Sequence, residues 1–379
     1  MYKNKNICVV VPAYNEEMLI EETLAQVPSY VDKIYVIDDC STDSTPYILK
    51  SLAKVNPKLI NIRHDINKGV GAAIITGYKM ALRDNMDISA VMAGDNQMDP
   101  AYLQDFLDPI IDGFADYTKG NRLVTHGYSK GMSKWRHFGN LVLTFLTKVS
   151  SGYWQVIDPQ NGYTAISAAA LKMIDLDSIY PRYGYCNNIL TKMNVHDIKI
   201  MNISHPARYG MEKSKIKYGS YIAKVSFLLL GDFLWRLKTK YIISNFHPLV
   251  LFYLSGVVLA VVGFFGGVYS LYYKFVLAGA FFEKGVLSLV TFVIGLQFLL
   301  FAMVFDKIQE RQHHGYVSAS DPFSPDFSPI STTIANNKIE GSFAVAHKIE
   351  MPISAISSYD TTLLKGDQSI SDSGKMRFD

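Results

Sequence analysis

The chain of 379 residues is poor in cysteine and has no bias of charge. Cys8, Cys40 and Cys186 are scattered with no CxxC spacing, which argues against a zinc site and a disulfide framework and fits a reducing compartment. With 37 basic against 34 acidic residues, nothing draws the whole chain to a polyanion. Nucleic acid is therefore not an expected partner, and phosphate binding must come from local clusters. No internal repeat is present. The opening MYKNKNICVVVPAYNEE reads as the first strand of a folded domain rather than a signal peptide, because its apolar run is short and ends at Pro12.

What the chain does have is two long runs without charge, Pro248 to Tyr273 and Gly285 to Phe305. Each matches the roughly 20 residues that cross a bilayer core. A buried helix hairpin is the competing reading, but soluble helices nearly always keep a polar stripe. Trp235, Arg236, Lys238 and Lys240 precede the first run as interfacial anchors, and Lys307 and Arg311 follow the second. The connection holds only Lys274 and Lys284, offset by Glu283, so the positive-inside rule places both ends of the pair in the cytosol. Upstream, YIAKVSFLLLGDFLWRLK reads as a helix lying on the membrane, with an ordinary globular helix as the alternative. The expected organisation is a cytosolic domain over 1–216, interfacial helices over 217–244, a two-helix transmembrane region over 245–306 and a polar, flexible tail over 307–379. The tail's FAVAHKIEMPISAI leaves room for a small docking element.

The first part of the chain alternates strand and helix: ICVVV, KIYVI, LINIR and ISAVMA read as strands, each followed by a polar turn and, after the first three, a helix. Such repeats make a doubly wound parallel sheet whose ligands bind beyond the carboxyl ends of the strands. The polar clusters lie at those ends. Asp38 and Asp39 can accept hydrogen bonds from ribose hydroxyls or a base edge. Lys68, with Gly69 and Gly71 ahead of a helix, offers charge and close backbone approach to phosphate, although NKGVG serves equally as a plain helix entry. Asp95 and Gln97, in VMAGDNQMDP, are hard oxygen ligands suited to Mg²⁺ or Mn²⁺, with a diphosphate completing the shell.

VPAYNEE, DDCSTDST, NKGVGAA, GDNQMDP, GNR and DPQNGY, in this order, resemble family 2 of the inverting glycosyltransferases. With RYGMEKSKI and the two apolar runs added, the chain resembles the polyprenyl-phosphate branch, which includes the dolichyl-phosphate mannosyl- and glucosyltransferases. The resemblance covers about Ile7 to Phe305 and leaves the tail outside. It implies an A-type glycosyltransferase fold and a nucleotide-sugar donor, linked to UDP or GDP. The donor would be held by Pro12, Tyr14, Glu16, Asp38, Asp39, Lys68, Gly69 and Asp95. One position departs from the pattern: Ala93 stands where the family carries a first acidic residue. In the branch, the second Asp and the following Gln make the direct metal contact, and both survive here as Asp95 and Gln97.

The acceptor side follows from chemistry. A lipid phosphate is already an anionic nucleophile, so the enzyme must hold two repelling phosphates near one anomeric carbon with fixed positive charge. Arg122 and Arg136 stand at the spacing the family uses for phosphate contact. Arg208, Lys213 and Lys215 add a basic cluster, although each of these cations also reads as an ordinary surface charge. Asp158 would orient the acceptor or act as base, or else merely cap the turn before Pro159. The expected catalytic set is Asp95, Asp158, Arg122 and Arg136. His137, His196 and His205 have no ligand-like spacing and read as structural or interfacial. Tyr180, Tyr183 and Tyr185 read as a pocket wall or as core. The resulting expectation is transfer of one sugar to a polyprenyl or dolichyl phosphate at the cytosolic membrane face, with a homo-oligomer left open. Two alternatives stand beside it: a relative that uses a lipid-linked saccharide or polysaccharide acceptor, and a non-catalytic sugar-nucleotide scaffold. Polysaccharide synthases of the family carry a QxxRW-type motif and more spans, and neither appears in this sequence.

Overall fold

β1 (Ile7–Ala13) is apolar at every position and buried at every position. A strand can be so only when both faces of its sheet are covered. The computed structural model describes residues 1–123, 134–206, 218–244, 246–277 and 282–314, without the side chains of 134–138, 218–221, 282 and 311–314. Its centre is a seven-stranded sheet of order β3-β2-β1-β4-β6-β5-β7. The elements run β1, α1 (Ile20–Ala25), β2 (Lys33–Asp38), α2 (Thr45–Val55), β3 (Leu59–Arg63), α3 (Val70–Arg83), β4 (Ile88–Val91), α4 (Leu103–Ile111) and β5 (Tyr117–Asn121). Then follow α5 (Lys134–Ser151), β6 (Thr164–Ser167), α6 (Ala168–Met173), α7 (Tyr185–Val195) and β7 (Ile200–Ser204). The four strands and three helices expected over the first hundred residues are all present. Side chains alternate between two cores: Cys8 and Val10 pack with Ile74, Tyr78 and Ile189 on one face. Ile7, Val9 and Val11 pack with Leu49, Phe106 and Leu107 on the other.

The sheet is mostly parallel, but β6 runs antiparallel between β4 and β5. This reversal decides where the polar loops meet. Thr164, at the start of β6, is the register partner of Val91 near the end of β4 and of Lys119 near the end of β5. The segments after Val91, after Lys119 and before Thr164 therefore share one edge, and they are GDNQMDP, GNR and DPQNGY.

Past the sheet come α8 (Tyr218–Lys238), a π-helical turn (Thr239–Ser244), α9 (Leu249–Val276) and α10 (Phe282–His314). The stretches Leu249–Val276 and Glu283–Glu310 each have 28 residues, and each holds an 18-residue window with a mean hydropathy of 2.4. At about 1.5 Å per residue each is about 40 Å long, enough for a bilayer core. α10 does not stop near 306 but continues through Asp306 and Glu310. α8 presents Phe227, Leu230 and Leu234 outward while Val225 and Leu229 pack with Leu143 of α5. It is thus amphipathic, as a helix against a membrane surface must be.

Two of the expected interfacial anchors are something else. Arg236 is fully buried and paired with Asp306, with Nη1 to Oδ1 and Nη2 to Oδ2 both 2.9 Å. Lys240 donates to Asn194 O at 2.7 Å and Asp197 Oδ1 at 2.6 Å, which ties it to the end of α7. Lys240, and Arg236 through Val149 O, tie the sheet domain to the helices that follow it. Trp235 lies under Lys192, whose Nζ is 3.7 Å from the ring centre, and Lys238 is exposed.

α9 and α10 pack closely because glycine stands at their crossing points. A Cβ at Gly295 would overlap the Ala260 backbone, and one at Gly263 the Phe292 backbone, whereas Gly267 faces open space. Small residues let membrane helices approach in this way. Gly295→Leu is expected to cost about 1–3 kcal/mol, the usual price of overpacking. Gly267→Leu should stay within about 0.5 kcal/mol. Thermal unfolding of the full chain in detergent measures both, and equal melting temperatures for the two variants would contradict the packing account.

Candidate active site

The carboxyl edge of β1 and β2 is built from loops that hold each other. Asp38 Oδ1 accepts from Ser41 N at 2.8 Å, and its buried Oδ2 faces Arg63 Nε at 3.3 Å. Ser41 Oγ in turn accepts from Asn15 N, and Thr45 Oγ1 accepts from Glu16 N. Pro12 is buried at the end of β1, Tyr14 is exposed and Glu16 is half-buried. The DDCSTDST and PAYNEE turns therefore form one interlocked rim, with Tyr14 projecting from it.

Asp39 has a use that sequence did not suggest. Its Oδ1 accepts from Lys68 N at 2.9 Å and its Oδ2 from Gly69 N at 2.7 Å. His64 Nδ1 lies 2.8 Å from Oδ1, and His64 Nε2 lies 2.9 Å from Thr76 Oγ1 on α3. The carboxylate thus clamps the loop that starts α3 and leaves the Lys68 side chain exposed. The glycines of NKGVG likewise have a packing reason. Gly69 sits at φ +100°, and Cβ atoms at Gly69 and Gly71 would come within 2.7 Å of Pro181 O and 2.5 Å of Tyr180 O. Ala72 N donates to Pro181 O at 2.9 Å. The space attributed to an approaching phosphate is filled by the 180–182 backbone at these two positions. Of the three tyrosines, Tyr185 is core, Tyr180 half-buried and Tyr183 exposed.

The loop after β4 carries Asp95 and Gln97, both half-buried, with Gln97 N donating to Asp95 Oδ1 at 3.2 Å. Ala93 N donates to Met98 Sδ, which turns Met98 inward against Gly162. Tyr163 OH donates to Asp99 O at 3.1 Å. These contacts lay GDNQMDP against DPQNGY. Among the described residues no group of three or more His, Cys, Asp or Glu side chains could enclose a metal ion. A closed structural site is thus not offered there. Two neighbouring hard oxygens on an accessible loop suit Mg²⁺ or Mn²⁺ whose remaining ligands come from a diphosphate.

Arg122 and Asp158, expected to face an acceptor separately, face each other: Nε to Oδ2 is 2.8 Å and Nη2 to Oδ1 is 3.3 Å. Asp158 is buried, whereas the Arg122 side chain keeps about a quarter of its surface exposed at 28%. Below the pair lies a polar layer with no sequence signal beyond its place in KGNR and DPQNGY. Lys119 is fully buried and donates to Asn161 O at 2.7 Å, and burial lowers its pKa. Asn161 Nδ2 lies 2.8 Å from His205 Nε2. Arg136 falls in the first turn of α5, where its side chain is not described, and Arg208, Lys213 and Lys215 lie outside the described residues.

His205 is buried among Tyr102, Phe106 and Tyr163. Burial, with a smaller push from Arg122, lowers its pKa below 6.5 despite the acceptor Pro206 O and the charges of Asp158 and Asp99. An unfolded chain then binds a proton that the folded chain refuses, so stability falls as pH drops through and below about 6.5. The slope from this group is at most about 1.4 kcal/mol per pH unit. Denaturant titration of the full chain at pH 7.5 and 5.5 should show a larger acid loss for wild type than for His205→Gln. Equal losses would exclude His205 as the source.

The glycosyl transferase family 2 model matches residues 8–174. A UDP-N-acetylglucosamine–dolichyl-phosphate N-acetylglucosaminyltransferase of Methanococcus voltae is 34% identical over 218 residues, which is 53% of this chain and 86% of that protein. A polyprenol monophosphomannose synthase of Mycolicibacterium smegmatis is 28% identical over 190 residues, 48% of this chain and 68% of that one. Among solved structures, the glucosyl-3-phosphoglycerate synthase of Mycobacterium tuberculosis superposes with a TM-score of 0.47 and 18% identity, over 60% of this chain and 80% of that one. The family suggested by the ordered motifs is the family found: the chain belongs to glycosyl transferase family 2 and is a glycosyltransferase.

Proposed function

We propose that this glycosyltransferase moves one sugar from a UDP- or GDP-linked donor to a polyprenyl phosphate at the cytosolic membrane face, with inversion at the anomeric carbon. One observation carries the reading. The DPQNGY loop touches the Asp95–Gln97 loop on one side, and the segment leading into it is held by a membrane-length helix on the other, through Glu310 and Trp154. A site placed between a donor loop and a bilayer suits an acceptor whose tail stays in the lipid. Relatives named for dolichyl and polyprenol substrates support the same choice.

The geometry supports the following roles. The interlocked rim of Asp38, Asn15 and Ser41, with Pro12, Tyr14 and Glu16, forms the nucleotide end. Asp39 fixes the Lys68–Gly69 loop, so that the Lys68 ammonium stands beside the donor phosphates. Asp95 and Gln97 would hold Mg²⁺ or Mn²⁺, which supplies a Lewis acid for the charge on the departing nucleoside diphosphate. Arg122 holds the lipid phosphate, and Asp158 fixes the plane of its guanidinium. Asp158 need not take a proton, because the attacking phosphate oxygen is already anionic. That oxygen displaces the nucleoside diphosphate from the opposite face in one step, which inverts the centre. Arg136, Arg208 and Lys215 are proposed as further contacts to the acceptor phosphate.

The cytosolic assignment rests on Lys238, Lys240, Lys307 and Arg311 at the domain end of the helices, against Lys274 and Lys284 with Glu283 at the other end. The proposed organisation keeps the domain at 1–216 and the interfacial part at 217–244. In a Cys40→Ser background, Leu277→Cys should react with an impermeant maleimide on intact cells and Lys54→Cys should not. The reverse pattern would invert the topology.

Screening UDP- and GDP-sugars against farnesyl phosphate in detergent tests the reaction itself. EDTA should abolish transfer and Mn²⁺ or Mg²⁺ restore it. Asp95→Asn should lose at least about a hundredfold in rate, about 2.7 kcal/mol of barrier. Arg122→Lys keeps the charge but loses the planar fork that grips Asp158 and phosphate together. It should impair kcat/KM for farnesyl phosphate while nucleotide affinity changes by less than about 0.5 kcal/mol. Full turnover in metal-free enzyme would sink the metal assignment, and a nucleotide-side defect in Arg122→Lys would misplace the acceptor.

A further inference from the structure

α10 reaches past the apolar run and ends in two buried carboxylates one turn apart, Asp306 and Glu310. Asp306 takes the bidentate pair from Arg236, a hydrogen bond from Tyr241 OH at 2.8 Å and a longer one from Trp154 Nε1 at 3.4 Å. Arg236 Nη2 also donates to Val149 O at the end of α5. Glu310 accepts two backbone N–H groups in succession, from Trp154 at 3.1 Å and Gln155 at 3.3 Å. The approach is close enough that Gly152, at φ +76°, has no room for a Cβ beside Arg236.

The segment so held leads straight into the site. Lys148 Nζ donates to Trp154 O, Gln155 Nε2 to Ile200 O, and Asn202 Nδ2 to Gln155 O. Three residues after Gln155 comes Asp158, paired with Arg122. Polar contacts thus hold Trp154 and Gln155 to a membrane-length helix, and three residues of chain connect that anchor to the Asp158–Arg122 pair. A turn can satisfy its own backbone locally, through Asx or Ser/Thr side chains. Here the partners come from about 150 residues further along the chain, on a different structural element.

We propose that Asp306 and Glu310 are positioning residues for transfer to the lipid phosphate. They fix segment 152–158 to the end of α10, and so set where the Asp158–Arg122 pair stands relative to a bilayer that holds both α10 and the acceptor's tail. The proposal rests on the reading of that pair as the acceptor-phosphate site. A helix is stiff along its axis, so a shift of α10 moves Trp154 and Gln155 with it, and misplacement of reacting groups by about 1 Å is enough to cost up to about a hundredfold. The donor loops at β1–β3 are held by partners of their own and should not feel its loss.

The test uses the full chain in lipid nanodiscs, with UDP-N-acetylglucosamine and GDP-mannose as donors and farnesyl phosphate as acceptor. Glu310→Ala should lower kcat/KM for farnesyl phosphate by about 10- to 100-fold. The dissociation constants of UDP and GDP should stay within about twofold. Glu310→Gln, which keeps one accepting oxygen, should recover part of the loss. If Glu310→Ala does not fold, Glu310→Asp carries the same readout. Arg236→Met with Asp306→Leu, which replaces the buried pair by apolar groups of similar size, should fold and show the same acceptor-side defect. A folded Glu310 variant with unchanged acceptor kinetics overturns the proposal, as does a parallel loss of nucleotide affinity, which would mark a merely structural staple. Asp158→Ala run alongside separates the two layers. If it leaves transfer intact, the acceptor-site reading fails; if it abolishes transfer while Glu310→Ala is silent, only the positioning role fails.

Discussion

A sheet buried on both faces leaves its polar groups nowhere to go but its ends. β1, β2 and β4 are buried at nearly every position, so the carboxylates of β2 and of the β4 loop appear where the strands stop: Asp38, Asp39 and Asp95. Those carboxylates cannot stand alone at a partly dry edge, because an unpaired buried charge costs several kcal/mol. Asp38 and Asp39 are met by backbone N–H groups of neighbouring turns and by Arg63 and His64, Asp95 by the N–H of Gln97, and the buried Asp158 by Arg122. The site is the consequence of that constraint applied at five strand ends. The antiparallel strand β6 adds to it by delivering DPQNGY to the same edge from the opposite direction.

The second demanding point is the junction with the apolar helices. Arg236 and Asp306 are both wholly buried, and taking two charges out of water is repaid only by good geometry and further hydrogen bonds. The pair has two parallel bonds at 2.9 Å, and Tyr241 and Val149 O add one further bond each, while Arg236 Nε is left without a hydrogen-bond partner. Such a pair adds little stability beyond what an apolar replacement would give, yet breaking one half of it costs about 3–5 kcal/mol. Its contribution is geometric. It permits one arrangement of α8, α10 and the end of α5 and penalises others, as a nonspecific apolar contact would not.

Much of this was legible in the sequence, and the exceptions have physical reasons. Strand and helix periodicity located β1 to β4 and α1 to α3, because those elements are decided by local pattern and turn chemistry. The apolar runs announced α9 and α10 for the same reason. What local pattern cannot show is which distant residue completes a polar group. His64 follows LINIR at a strand end and could have been suspected as a partner for Asp39, but nothing in the sequence says so. Arg236 and Lys240 look like interfacial anchors by position, and only the fold shows that Asp306, Asn194 and Asp197 receive them. Asp306 itself gave a signal that the uncharged-run criterion discards: an acid directly after the 21-residue uncharged stretch Gly285–Phe305, where charge is expensive unless paired. The glycines of NKGVG were ambiguous between phosphate approach and packing, and the backbone at Tyr180 and Pro181 gives them the second reason.

The Arg122–Asp158 pair shows how these strands of argument meet. A guanidinium carries five N–H donors, and the contact with Asp158 accounts for two of them. Pairing with Asp158 selects the plane in which the rest of the fork lies. Lys119 and Asn161 support Asp158's loop from beneath, and Trp154 and Gln155 tether the same loop to α10. The orientation of one cation is thus set jointly by the sheet and by the helix at the membrane. In the proposed reaction that joint dependence has a use: one partner would reach the site through water and the other through the bilayer, and the charge proposed to bring their phosphates together would be referenced to both.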